Sequence, residues 1–370
     1  MLARARGSLA IRDILMKQIQ PLLLACLLVL LTGCGKSTGQ ATTSLTPAQV
    51  NGFGTAANHV HSLVILPDAY RTLVLATHYG IFRSQDHGKT WQETAGGPGQ
   101  LMQGVMTYDL SYSPLDPRRL YVLTYYQTGP LPRNALGLYT SSDSGKTWQL
   151  SLKDTAITTS TIFFAQAGNQ APSQVYIYLR EPAAHGLLVS SDHGQHFSQA
   201  GSPLPFGSLL GLLIVPGQSG HLFAYGDEGI ASTQDAGAHW RVIPGIEGSI
   251  FEMTTPRPNG PVYAEGDAGV YASSDGGQHF ALVYTRHSYS SLTASPQNPS
   301  TIYGKLGLGV YRSNDGGKNW SPLPAIEGNL QVLAVDPANA GQVYLALSYP
   351  TRVYYFQAAN HAWQSLTPSV

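Results

Sequence analysis

An eight-residue box recurs six times along this chain and limits its fold more than any other feature. It reads Ser84-Gln85-Asp86-His87-Gly88-Lys89-Thr90-Trp91 and returns at Ser141 to Trp148, Ser190 to Phe197, Thr233 to Trp240, Ser273 to Phe280 and Ser313 to Trp320. The shared pattern is Ser/Thr-x-Asp-x-Gly-x-x-aromatic. A seventh, eroded copy ends at Trp363, with Ala358 and Asn360 where Asp and Gly stood. Successive aromatic ends lie 40 to 57 residues apart, a period characteristic of propeller blades or solenoid coils.

Two further columns keep the same register. Apolar runs end in proline at Pro67, Pro114, Pro216, Pro256, Pro296 and Pro337. After them come Leu120-Tyr121, Val175-Tyr176, Leu222-Phe223, Val262-Tyr263, Ile302-Tyr303 and Val343-Tyr344, with Leu73-Val74 in the first unit. Each unit therefore reads as four short strands, A to D: an inner apolar strand, the aromatic strand, the strand entering the box and the strand beginning at its aromatic. Seven such units predict an all-β fold, a seven-bladed β-propeller of four-stranded antiparallel blades over residues 58–370. A β-solenoid ranks behind, since its coils are usually shorter. The last strand, from Trp363 to about Leu366, completes its blade from local residues, so the ring is expected to close by packing of faces; Gln49 to Phe53 is a candidate extra edge strand.

Composition agrees with many strands and turns: 11% of residues are charged, against roughly 25% in an average soluble protein, with 40 Gly, 24 Pro and 21 Tyr. Net charge is zero, which argues against a nucleic-acid partner, because phosphate binding needs a clustered positive field.

The N-terminus reads as a targeting segment. Arg4, Arg6, Arg12 and Lys17 precede an apolar run from Pro21 to Leu31, too short to cross a bilayer as a helix. Leu31-Thr32-Gly33-Cys34 then resembles a bacterial lipobox, which implies a signal peptide over 1–33 and a lipidated Cys34 anchoring the chain outside the cytoplasmic membrane. Translation from Met16 would give a compact signal of the same kind. Residues 34–57 are rich in Gly, Ser, Thr, Gln and Pro, as a flexible tether is. Gly35-Lys36-Ser37-Thr38 is not a phosphate-binding loop, because Leu30 stands where its first glycine belongs. With Cys26 in the signal and Cys34 lipidated, the folded part has no thiol for a disulfide or metal.

Each box position has a mechanical reason at a tight turn between strands C and D. Glycine supplies positive φ, Asp accepts from turn amides, Ser or Thr does the same more weakly, and the aromatic buries surface. Asp86, Asp143, Asp192, Asp235, Asp275 and Asp315 are thus structural, since equivalent turns on a radial array cannot converge on one atom. The same argument sets aside His196, His239 and His279 as zinc ligands.

Together with the Pro and Val-Tyr columns, these boxes resemble the Asp-box, or bacterial neuraminidase, repeat superfamily over nearly the whole mature chain. That superfamily includes sialidases, xyloglucan-cleaving hydrolases, the sortilin ectodomain and photosystem II assembly factors. The resemblance implies a propeller, with any site on the face opposite the boxes, where the B–C and D–A connections lie; it does not imply one function. A sialidase would need an arginine triad, a Tyr and Glu pair and an early Phe-Arg-Ile-Pro motif, whereas Ile81-Phe82-Arg83-Ser84 simply enters a box. Sialidases also have six blades. A xyloglucan hydrolase of the familiar kind would need two propellers.

Irregular insertions give the remaining candidates. Tyr125, Tyr126 and Arg133 belong to the B–C connection of blade two, and Arg180, Glu181 and His185 to that of blade three, with a glycine-rich D–A connection over 94–103 in the same sector. Aromatic surface beside a few charges suits recognition. Asp227 and Asp267 recur in Gly-Asp-x-Gly turns and read as structural. His59 and His61 share a strand face but lack a third metal ligand, so no metal and no cofactor is expected. The leading expectation is a monomeric, lipid-anchored binding or scaffolding module for a protein, peptide or glycan. The alternatives are a glycoside hydrolase using Asp109 and Glu252 across the channel, and an assembly factor for a membrane complex.

Overall fold

The computed structural model describes residues 58–67, 70–125, 136–153, 162–179, 186–348 and 351–367. The proposed signal, tether and edge strand, and Tyr126, Arg133, Arg180, Glu181 and His185, lie outside the described residues.

Every blade is a sheet of four consecutive strands in the order A-B-C-D, and there are seven of them. The inner strands A are Val60–Ile65, Met106–Tyr112, Ile162–Ala167, Leu209–Ile214, Ile250–Thr254, Ser290–Ala294 and Leu330–Val335. Each touches strand A of the next blade, and Val60–Ile65 touches Leu330–Val335, which closes the ring. Strands B are Leu73–Thr77, Leu120–Tyr125, Val175–Leu179, Leu222–Gly226, Val262–Gly266, Ile302–Leu306 and Gln342–Leu347. They are almost wholly buried, because each of their faces packs on a neighbouring blade. Strands C run from Gly80–Ser84 in blade one to Arg352–Gln357 in blade seven, and strands D from Gln92–Ala95 to Ala362–Ser365. In the six blades with a full box, strand D starts one residue after the box aromatic rather than on it, as at Gln92 after Trp91, and in blade seven it starts at Ala362, one residue before Trp363.

The tyrosine column joins one blade to the next. Tyr121, Tyr176 and Tyr303 are fully buried, and their hydroxyls donate to the carbonyls of Pro172, Ala236 and Ala340 in the following blade, at 3.3, 3.2 and 2.8 Å. Tyr263 reaches Pro299 in the same way at 3.0 Å. A buried phenol needs such a partner, so one residue supplies both apolar area and an inter-blade hydrogen bond.

The box is a closed clasp. In the first copy Ser84 Oγ accepts from the Gly88 amide at 2.8 Å and donates to Asp86 Oδ1 at 2.8 Å, while the amide and hydroxyl of Thr90 donate to the two Asp86 oxygens at 2.8 and 2.6 Å. His196, His239 and His279 each hold their own box aspartate at 2.6 to 2.7 Å, well apart around the rim. Hydrogen bonds from the box hydroxyl, the histidine amide and the histidine ring together keep Asp192, Asp235 and Asp275 well below the usual carboxylate range. Two consecutive residues take positive φ, as at His87 (62°) and Gly88 (84°), so the turn asks more of the backbone than a single glycine.

At the seam, Trp91 Nε1 donates to the Leu366 carbonyl at 3.1 Å, and the Thr351 hydroxyl donates to the carbonyl of Asn58. Val60, Leu73, Tyr344, Val353 and Leu366 form one apolar cluster across it. The ring therefore closes by face packing, with blade seven built from its own four strands.

Candidate functional site

With four antiparallel strands per blade, the D–A and B–C connections lie at one end and the boxes, which are C–D turns, at the other. At the open end the pairing of strand A with strand B slips in all seven blades. Such bulges re-aim side chains and leave part of the inner strand's backbone unpaired. Asp109 and Ser291 take φ of 48° and 54° at these slips.

Side chains from the preceding blade fill those backbone vacancies. Asp109 Oδ2 accepts from the Ala165 amide of blade three, and Glu252 Oε2 accepts from the Leu292 amide of blade six at 3.0 Å. The strand B residue two places after the aromatic column does likewise. That column reads Ala76, Leu123, Tyr178, Tyr225, Glu265, Lys305 and Ala346. Tyr178 Oη accepts from the Leu209 amide at 3.3 Å, and Tyr225 accepts from the Met253 amide. Lys305 Nζ donates to the carbonyls of Leu330 and Gln331 at 3.2 and 2.8 Å, and the Ser288 hydroxyl donates to Glu265. Tyr225 can lie across its own inner strand because position 211 is glycine; a Cβ there would come within 2.1 Å of the phenol oxygen.

Blades three to six thus place an ionisable or phenolic group where the other blades have Ala or Leu. Asp109 and Glu252 keep some contact with water, yet protein surrounds them, as on the wall of a narrow channel. Burial pushes Asp109 up to about 7 against the pull of the Ala165 amide, and Glu252 up to about 7 against the Leu292 amide and the Lys305 charge. Glu265 is 2% exposed, and burial, then the charge of Glu252, pushes it up to about 8. Tyr225 is raised by burial and then by Glu252 and Asp109, so both carboxylates act on this one phenol. Burial lowers Lys305, and Glu252 opposes that shift. Such groups can exchange protons near neutral pH and can hydrogen-bond hydroxyls or amides.

Reading the sequence for chemistry found Asp109 and Glu252 but missed Tyr225, Glu265 and Lys305. Their signal is present in the repeat, as four successive polar side chains in a column otherwise apolar. His78, also missed, brings a third imidazole to His59 and His61, with one ring nitrogen from each within 4.8 Å of the others. Tyr125 is 43% exposed at the end of strand B in blade two, edge-on to Tyr108 at 5.9 Å. Three other exposed apolar side chains share its end of the molecule: Leu101 before blade two, Phe251 at the slip of blade five and Leu308 in the B–C turn of blade six. Asp267 Oδ2 accepts from the Ser249 amide at 2.9 Å, a turn contact.

Fold and site define a seven-bladed β-propeller with a set of ionisable groups at its open end. Residues 81–94 match the BNR-Asp box repeat and residues 311–322 the BNR/Asp-box repeat. No curated protein matches the chain in sequence. Among solved structures, the chain resembles the GH74 xyloglucanase from Xanthomonas campestris with a TM-score of 0.64 at 15% identity, over 85% of this chain and 55% of that one. It therefore spans about half the length of that enzyme. It also resembles YCF48 bound to D1 peptide (TM-score 0.59, 11% identity, 81% of this chain and 94% of that one) and YCF48 from Cyanidioschyzon merolae (0.60, 13%, 82% and 97%). The two repeat matches support Asp-box repeats in this chain, and at such identities the likeness to the solved structures is one of propeller fold.

Proposed function

We propose that this chain is a recognition module, anchored outside the cytoplasmic membrane through Cys34, whose open face binds an extracytoplasmic protein, peptide or glycan. The observation that carries this reading is the company of exposed Leu101, Tyr125, Phe251 and Leu308 at the one end of the propeller where ionisable groups line the channel. Apolar anchors around a polar centre are what a recognition surface needs. Two of the structural neighbours are consistent with it: one YCF48 structure holds a D1 peptide, and the GH74 protein is a xyloglucanase.

A second reading, a glycoside hydrolase, is favoured by one observation: Asp109 and Glu252 both stand near 7 and both act on Tyr225. Each also satisfies a backbone amide of the next blade, a structural task that ranks this reading second. One panel of glycans and peptides, scored for binding and for sugar release in the same wells, separates the two. Binding without turnover supports the recognition module; release of sugar that disappears in Glu252→Gln overturns it. A third reading, an assembly factor, would show as co-purification with a membrane complex. Transfer of the chain from membrane to soluble fraction on Cys34→Ala tests the anchor.

A further inference from the structure

Three imidazoles meet at the open end of blade one. His59 immediately precedes strand A, His61 sits at its slipped register and His78 immediately follows strand B. The His78 amide donates to the His59 carbonyl at 2.8 Å, so these two residues oppose each other across the pair. Opposed side chains on an antiparallel pair project from the same face. The ring of His59 lies 4.4 Å from that of His61 and 4.6 Å from that of His78, and the last two rings are 6.1 Å apart. One nitrogen from each ring lies within 4.8 Å of the other two. Three nitrogens bound tetrahedrally to zinc at roughly 2.0 to 2.1 Å stand about 3.3 Å from one another, a spacing that small rotations of these rings reach.

One observation sets the cluster apart from ordinary core histidines. Nε2 of His61 is buried without a hydrogen-bond partner, an arrangement that a bound ligand would explain. The frame around them is held: the Tyr79 amide donates to Asn58 Oδ1 at 3.2 Å, and the Asn58 carbonyl accepts from Thr351 of blade seven across the seam.

We propose that His59, His61 and His78 form a site for one divalent transition metal of the imidazole-preferring class, zinc foremost, with a fourth position left to water or an incoming oxygen or nitrogen donor. Three histidines with an open position is a donor set such metals accept, and hard cations that favour oxygen would be refused. The site is independent of the ligand assigned to the open face.

The test uses the full chain without a histidine tag, stripped with chelator and titrated with zinc by calorimetry, and with cobalt(II) by visible absorption. One equivalent of zinc should bind, and cobalt should give the intense bands of a low-coordinate, nitrogen-ligated ion. His61→Ala and His78→Ala should each weaken binding by about a hundredfold, while His239→Ala, on the box rim, should bind as the parent does. Thermal unfolding of every variant without metal separates a lost ligand from a lost fold. Absence of saturable zinc binding, an octahedral cobalt spectrum in the parent chain, or unchanged affinity in folded His61→Ala and His78→Ala would overturn the site.

Discussion

Glu252 and Glu265 stand directly opposite each other on the innermost antiparallel pair of blade five. Opposed side chains there have Cβ atoms about 4.5 to 5.5 Å apart, and two like charges at that distance in a buried setting repel strongly. The pair is stable where at least one of the two keeps its proton.

The first prediction follows from that pair. Asp109, Glu252 and Glu265 have folded-state values near 7, 7 and 8, above their ordinary ones, so the folded chain holds protons that the unfolded chain releases. The stability they confer is complete below about pH 4 and is lost as pH rises through the range 7 to 8. Glu265→Gln should flatten that fall and raise stability at about pH 9 by on the order of 3 kcal/mol. Denaturant titrations across pH measure it; parallel profiles for parent and variant would mean that Glu265 ionises freely.

A second prediction concerns the clasp. Ser84 is 1% exposed and its Oγ meets both the Gly88 amide and Asp86. Ser84→Ala leaves that amide buried and unpaired, at a cost of roughly 1 to 3 kcal/mol. Chemical denaturation should show the lower midpoint with an unchanged m-value.

Gly277 offers a sharper test of how blades interlock. Its φ is 85°, and a Cβ there would come 2.2 Å from Cζ of Phe223 in blade four. Gly277→Ala therefore combines backbone strain with overpacking, and roughly 2 to 4 kcal/mol should be lost. Thermal unfolding of Phe223→Leu with Gly277→Ala should recover part of that loss, because the smaller side chain removes the clash and leaves the strain.

The last prediction addresses the open face. Tyr125, Phe251 and Leu308 are 43%, 41% and 66% exposed. Replacing all three with Ala should weaken any ligand found in the binding panel by about tenfold or more, while stability shifts by less than about 1 kcal/mol. Retained affinity would move the binding surface off this end.

Much of the architecture was legible because every blade repeats the same local chemistry. The boxes mark the C–D turns, the prolines the A–B turns and the tyrosine column the buried strand B, so blade number and strand order follow from spacing. The roles of Asp109 and Glu252 were not legible in that way. Sequence offers them as a carboxylate pair, and the structure adds that each accepts a backbone amide of the following blade, because bulges free backbone groups that linear periodicity does not report.

By itself the sequence determined what each repeat must build: a four-stranded antiparallel unit whose turns need glycine and a side-chain acceptor, and whose apolar strands must be covered by neighbours. Tertiary structure decided which residues meet. Glu265 comes opposite Glu252 through strand register, and His78 joins His59 and His61 through the B–C turn of blade one. Residues far apart along the chain become neighbours only when strands pair and the ring closes, and the side chains gathered at its open end are set by that closure.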